Sequence, residues 1–289
     1  MLKLEGHDNV EPYKPCKQRT EWGYLESNHW NLNYTVVKIL KQLKCQYRAV
    51  WRENDFKLLY SQMLPLEDKQ LVEHDVIEVT CIGLLFNKKM TFNHVYAQIV
   101  PKINSKIDFN YLNSHRDTNP LNIILLSYDS LSRVSWFKRL PRTTEFLIKE
   151  MKFNIFYGQS ILGDGTPACM IPLLTGKTEE ELPSALKSDP NGKYVDQIYP
   201  FIWNDLHPRG YMSFHMEDWP QVTTFTYRLR GMSNKTAHHY MRPYQQSLWN
   251  RISPSYFSKK DDLCFGNIKR HKRALDLMTE FIETYKVII

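Results

Sequence analysis

The stretch Leu121-Asn122-Ile123-Ile124-Leu125-Leu126-Ser127-Tyr128-Asp129-Ser130 decides how this chain is read. Apolar residues run through it almost unbroken, and an acid ends it. A strand buried on both faces of a parallel sheet is written this way, and the functional groups of α/β sheets sit where such strands end. Further along, Gly163-Asp164-Gly165-Thr166-Pro167 reads as a turn that opens a helix, with Pro167 suited to a first helical position. A carboxylate at a strand end beside a hydroxyl at a helix start would make half of a metal-plus-nucleophile site.

Outward from that stretch, strand and helix signals alternate. Pro141–Met151 has helical spacing at Thr144, Leu147 and Ile148. Phe153–Gln159 reads as the next strand, and Thr166 to Leu174 as a helix that Pro172 should kink. Ile198, Phe201, Ile202, Asp205 and Leu206 form another helical stripe, followed by a strand over Tyr211–His215. Leu275, Met278, Ile282 and Tyr285 mark one face of a long amphipathic helix. The alternation predicts an α/β domain over residues 121–289, a mostly parallel sheet sandwiched by helices. Ahead of it the signals are β: Cys45–Trp51, Val76–Ile82 alternating like a half-exposed strand, and Phe92–Val100, with Lys88-Lys89 as a hairpin connection. Residues 16–105 therefore read as a small antiparallel β-rich module, 106–120 as a polar linker and 1–15 as a loose N-terminus.

With 289 residues, 42% of them hydrophobic and 13% aromatic, the chain can bury a sizeable core, which excludes disorder as its default. It contains no apolar run long enough for a membrane span, and Met1-Leu2-Lys3-Leu4-Glu5-Gly6 lacks the apolar core of a signal peptide. The net charge of +7 is partly concentrated in Lys269-Arg270-His271-Lys272-Arg273. Such a run is usually the solvated start of a helix; its functional reading is contact with a polyanion, a heparan-like sugar or an anionic lipid. Nucleic acid is not expected, because no recognised binding motif accompanies the charge. Of the five cysteines (Cys16, Cys45, Cys81, Cys169 and Cys264), Cys45 and Cys81 lie in β-like segments and could bridge, but sequence does not fix connectivity. Asn33-Tyr34-Thr35 and Asn234-Lys235-Thr236 are glycosylation sequons, so Asn33 and Asn234 favour a secretory compartment.

A threonine hydroxyl is a poor nucleophile until a base or metal takes its proton, and a helix N-terminus favours an anion. Thr166 is therefore the candidate nucleophile, although the commoner role of a threonine there is a helix N-cap. Asp129 offers the carboxylate that zinc or calcium takes, or else caps the helix that follows. Asp164 and Arg133 flank these two, Asp164 in a turn and Arg133 able to steady the acid. His215-Met216-Glu217-Asp218 follows a strand, and the pair His238-His239 lies further on, which makes His215, Asp218 and His239 candidate pocket residues. Gly176-Lys177-Thr178 mimics the end of a phosphate-binding loop, but Ile171 stands where that loop needs glycine, so it is rejected.

Taken together, Ser127-Tyr128-Asp129-Ser130-Leu131-Ser132-Arg133, Gly163–Pro167 leading into Ile171-Pro172-Leu173-Leu174-Thr175-Gly176, Glu217-Asp218-Trp219-Pro220 and His239-Tyr240-Met241-Arg242-Pro243-Tyr244 resemble a known family. It is the metazoan sulfatase-like group catalogued as domain of unknown function 229, within the alkaline phosphatase superfamily. The resemblance covers nearly the whole chain. It implies an alkaline-phosphatase-like fold, a divalent metal (zinc or calcium), cleavage of phosphate or sulfate esters and an extracellular or secretory location. Asp129 then maps to the first metal-ligand acid and Thr166 to the covalent nucleophile. The chain has no Asp-His dipeptide, which the superfamily uses for later metal ligands, and it stops at Ile289. The resulting expectation is an amino-terminal portion, incomplete on its C-terminal side and inactive alone. Two other readings stay open: a non-catalytic extracellular interaction protein using its basic surface, and an active enzyme with a metal site built from His215, His238, His239 and Asp218.

Overall fold

The computed structural model describes residues 15–16, 20–102, 121–251, 264–265 and 267–286. The linker assigned to 106–120 and nearly all of the N-terminus assigned to 1–15 lie outside the described residues. In chain order the strands are β1 (Gly23–Glu26), β2 (His29–Leu32), β3 (Lys41–Asn54), β4 (Lys57–Tyr60), β5 (Leu64–Leu66), β6 (Val76–Leu85), β7 (Lys88–Ala97), β8 (Phe214–His215), β9 (His239–Tyr240), β10 (Cys264–Phe265) and β11 (Ile268–Lys269). The helices are α1 (Tyr34–Ile39), α2 (Arg133–Arg139), α3 (Pro141–Lys149), α4 (Thr166–Thr175), α5 (Val195–Ile198), α6 (Ile202–Leu206), α7 (Arg242–Arg251) and α8 (Arg270–Lys286). They fall into two compact units, one of Met1–Ile103, Met212–Thr223 and Gly231–Ile289, the other of Asn104–Tyr211 and Thr224–Arg230.

The first unit is built on a five-stranded antiparallel sheet of order β4-β3-β6-β7, with β5 also paired to β3. β6 and β7 meet at Phe86 and Asn87, both at positive φ (48° and 64°), the backbone that two-residue hairpins prefer. Lys88 and Lys89 open β7 rather than form the turn. Both sheet faces are covered, so Val76–Val79 of β6 is buried throughout and not half-exposed. Val76, Val95, Ala97 and Ile99 pack against Met241, Tyr244, Leu248, Leu277 and Tyr285 of the α7–α8 side. Ile77, Val79, Cys81 and Phe92 point the other way, towards Trp30 of the β1–β2 hairpin. That period of two is the pleat itself. Cys45 and Cys81 are directly paired across β3 and β6 and form a disulfide; a second disulfide joins Cys16 to Cys264. Gly23 lies so close to the buried Trp30 ring that a Cβ would sit 2.3 Å from it.

The second unit holds α2 to α6; its buried apolar residues include Ile171, Val195, Tyr199, Phe201, Phe225 and Leu229, while α2, α3 and α6 bury none of their own residues. The expectation of a mostly parallel sheet sandwiched by helices is wrong for this molecule. Among the described residues the only parallel pairing is the two-residue contact of β8 with β9. Leu121–Ser127, read as a buried strand, and Phe153–Gln159, read as the next strand, form none, and Leu121, Ile123, Ile124, Leu125 and Leu126 are each more than half exposed. An extended segment becomes a strand only where a neighbour satisfies its N–H and C=O groups. Among the described residues none runs beside these two. The helix predicted over the C-terminal region is present as α8, but its buried face runs through Leu277, Phe281 and Tyr285, and of the predicted stripe Leu275, Met278, Ile282 and Tyr285 only Tyr285 is buried while Ile282 is exposed. The helical stripe at 198–206 is split into α5 and α6 at Tyr199–Phe201.

Candidate functional site

Asp129 and Thr166, 37 residues apart in sequence, are brought together in the second unit: Thr166 Oγ1 donates to Asp129 Oδ1 over 3.2 Å. Two local features arrange this. Ser132 caps α2, accepting from Ser135 N, and Tyr128 sets its ring edge-on to Trp136, which fixes the end of the Asp129 segment. Ser130 follows at φ 55°, a left-handed conformation uncommon outside glycine. On the other side Gly165 holds φ 90° and ψ 161°, a backbone essentially confined to glycine, and turns the chain directly into α4. Thr166 is therefore the first residue of the helix and not its N-cap, and its hydroxyl goes to the carboxylate. Pro167, buried at the second position, locks the first turn. Gly176 ends the same helix at φ 70°, where a phosphate-binding loop would have to begin one.

The other predicted residues are not gathered here. Asp164 is exposed. Arg133 turns away from the acid: its guanidinium donates to the carbonyls of Phe156 and Tyr157 and lies over the Tyr157 ring. His215, Asp218 and His239 belong to the other unit. Asp218 is exposed; His215 stacks on Tyr240, 5.1 Å between centroids, with Nε2 3.6 Å from Glu217. Asn33 caps α1, accepting from Thr35 and donating to Glu21 O, while Asn234 is exposed. Among the described residues no three or more His, Cys, Asp or Glu side chains converge where a metal ion would sit. One carboxylate and one hydroxyl fall short of the roughly four ligands zinc takes and the roughly six to eight oxygens calcium takes. The donor set does not fit a tightly held divalent ion. The basic run is likewise divided: Lys269 and Arg270 are buried, Arg270 over the Trp219 ring, and Lys272 pairs with Asp276, so only His271 and Lys272 are exposed.

Sequence reasoning missed the buried charges of the first unit. Glu78, 2% exposed, accepts from Arg48 Nε (2.7 Å), from Ser247 Oγ (2.5 Å) and from Arg251. Burial pushes its carboxyl up, but the donors more than offset this and hold it below the ordinary range. Asp55, fully buried, accepts from Tyr240 (2.9 Å) and Met232 N (2.7 Å), with Arg52 Nε at 3.4 Å. Here burial wins and the carboxyl is raised. His239 is enclosed by a relay. Its Nδ1 lies 3.0 Å from Asp75 Oδ2 and its Nε2 2.7 Å from the Tyr285 hydroxyl, which itself accepts from Lys102 N. This fixes the tautomer, with Nδ1 donating to the acid. The ring is 0% exposed, so the relay ties β9, α8 and the β5–β6 connection together and presents nothing to a substrate. The signal for Glu78 was legible: one carboxylate inside an apolar strand marks a buried ion pair.

The family model described as Protein of unknown function (DUF229) matches residues 10–288, and the chain belongs to that family. No curated protein and no solved structure matches it. No described helix is long and apolar enough to cross a membrane.

Proposed function

We propose that Asp129 and Thr166 are the acid and the nucleophile of a sulfatase-like centre for phosphate or sulfate esters, and that this chain does not cleave such esters by itself. The 3.2 Å contact between Thr166 Oγ1 and Asp129 Oδ1 carries the reading. A hydroxyl on the first turn of a helix, already hydrogen-bonded to a carboxylate, is where an attacking oxygen and the ester it attacks would meet. Membership of DUF229 supports the assignment through the family resemblance. The shortage of metal donors among the described residues supports the absence of turnover. The two disulfides favour an oxidising, extracellular or secretory setting. The polyanion reading of residues 269–273 has less support, since two of those side chains are buried.

The assignment is tested in a DUF229 relative for which turnover of an aryl phosphate or aryl sulfate has first been established. Replacing the threonine aligned with Thr166 by alanine should abolish that turnover while leaving the melting temperature unchanged. Retained turnover would refute the role given to Thr166.

A further inference from the structure

The β6–β7 hairpin turns on a residue that stability alone would not place there. Two-residue hairpin loops at positive φ favour asparagine, aspartate or glycine, and a bulky side chain in that conformation is strained. The first loop position is nonetheless Phe86, at φ 48°, and it is 95% exposed. Backbone strain and solvated aromatic surface both cost stability, so the residue points to something the hairpin meets outside the chain. More apolar surface lies at the same end of the sheet. Ile39 ends α1 beside Leu40, whose side chain sits 3.1 Å from where a Cβ on Gly83 of β6 would fall, and Ile39 is 60% exposed. Ile82 is exposed as well.

Charge surrounds this apolar end, and in these segments all of it is positive. Leu84 of β6 pairs with Lys41 of β3 on one side and Lys89 of β7 on the other; Leu85 pairs with Lys88, and Ile82 with Lys44. Lys38 lies in the last turn of α1. All five lysines are exposed, and no acid occurs in the sequence between Tyr34 and Arg52 or between Val79 and Lys102. Lys57, Lys149 and Lys272 each pair with an acid four residues away, whereas these five have no ion-pair partner among the described residues. Asp68, near the other end of α1, is held by Leu32 N and the Tyr34 hydroxyl. A sugar polyanion would answer the lysines and leave Phe86 in water. An anionic membrane surface answers both, since its headgroups attract the lysines and its acyl boundary takes up the apolar side chains. We propose that this end of the sheet is a docking surface for an anionic lipid bilayer, with Phe86 and Ile39 entering the headgroup region and the five lysines lying against the anionic headgroups.

The test is cosedimentation of the full chain with vesicles of phosphatidylcholine alone and of phosphatidylcholine mixed with an equal part of phosphatidylserine. The chain should pellet with the anionic vesicles and stay in solution with the neutral ones. Salt at about 1 M, where charges are screened beyond about 3 Å, should release it. Phe86→Gly should weaken binding about tenfold through the lost apolar contact, while the melting temperature holds or rises because glycine suits the turn. Those opposite signs separate docking from a structural role. Replacing Lys88 and Lys89 together by glutamine should weaken binding roughly thirtyfold, since each charge near the surface contributes about equally. Equal binding to the two kinds of vesicle, or binding unchanged by Phe86→Gly, would overturn the proposal. So would a failure to pellet with the anionic vesicles, whether or not the chain is retained on heparin. The comparison of vesicles is made on the unaltered chain, so it decides even if a variant fails to fold.

Discussion

Replacing Glu78 by glutamine tests whether the first unit depends on its buried charges. The carboxylate is 2% exposed and receives donors from Arg48, Ser247 and Arg251, so it joins β6 to both β3 and α7. Removing one partner of a buried ion pair costs about 3–5 kcal/mol, because the other charge is left without compensation. Here both arginines can regain some water, their side chains being 33% and 27% exposed, so the lower end applies. Glu78→Gln should therefore destabilise the protein by about 3 kcal/mol at pH 7. With a urea slope of about 3 kcal/mol/M, the unfolding midpoint falls by roughly 1 M. The pH dependence follows in sign. The folded carboxyl sits below its unfolded value of about 4, so its stabilisation is present above that pH and is lost as pH falls through the folded value. The gap between wild type and variant should narrow on acidification. Urea unfolding by tryptophan fluorescence, disulfides intact, measures both. A loss under about 0.5 kcal/mol at pH 7, the range of an ordinary surface substitution, would refute the reasoning, as would a gap that does not change with pH.

Gly23→Ala should destabilise by about 2 kcal/mol in the same assay, since its Cβ would meet the Trp30 ring at 2.3 Å; a neutral result would mean the hairpin is free to shift. Peptide mapping without reduction should recover Cys16–Cys264 and Cys45–Cys81, and alkylation of the unfolded, unreduced chain should modify Cys169 alone. On secretory expression, Asn234→Gln should remove a glycan, because Asn234 is exposed in its sequon; an unchanged mass would exclude that site. Calorimetric titration with zinc should show no binding tighter than about 1 mM that Asp129→Asn removes, since two oxygens are too few to hold the ion.

How much the sequence disclosed depends on the range of the interaction. The antiparallel strands of the first unit were legible because the pleat imposes a period of two within one segment. α8 was legible as a helix because apolar residues recur along its own length, but the face it buries, through Leu277, Phe281 and Tyr285, was not the stripe picked out. Gly165 and Thr166 could be placed at a helix start from local turn chemistry alone. Leu121–Ser127 misled because an apolar run records a need for burial on both faces but not what supplies it. Its residues carry the composition of a buried strand, while no strand among the described residues pairs with it. The same limit hid the Asp75–His239–Tyr285 relay, whose members lie 164 and 46 residues apart and are joined only by the tertiary fold. Arg133 was assigned to the acid for a related reason: its actual partners are backbone carbonyls, which no side-chain pattern reveals.

Turnover by the purified chain is the most direct measurement of the central claim. Aryl phosphate and aryl sulfate are incubated with wild type and Thr166→Ala in parallel, with zinc, manganese or calcium supplied. The pairing of Asp129 with Thr166, short of further donors, predicts that wild type releases no more product than the alanine variant. Hydrolysis by wild type that disappears in Thr166→Ala would contradict it.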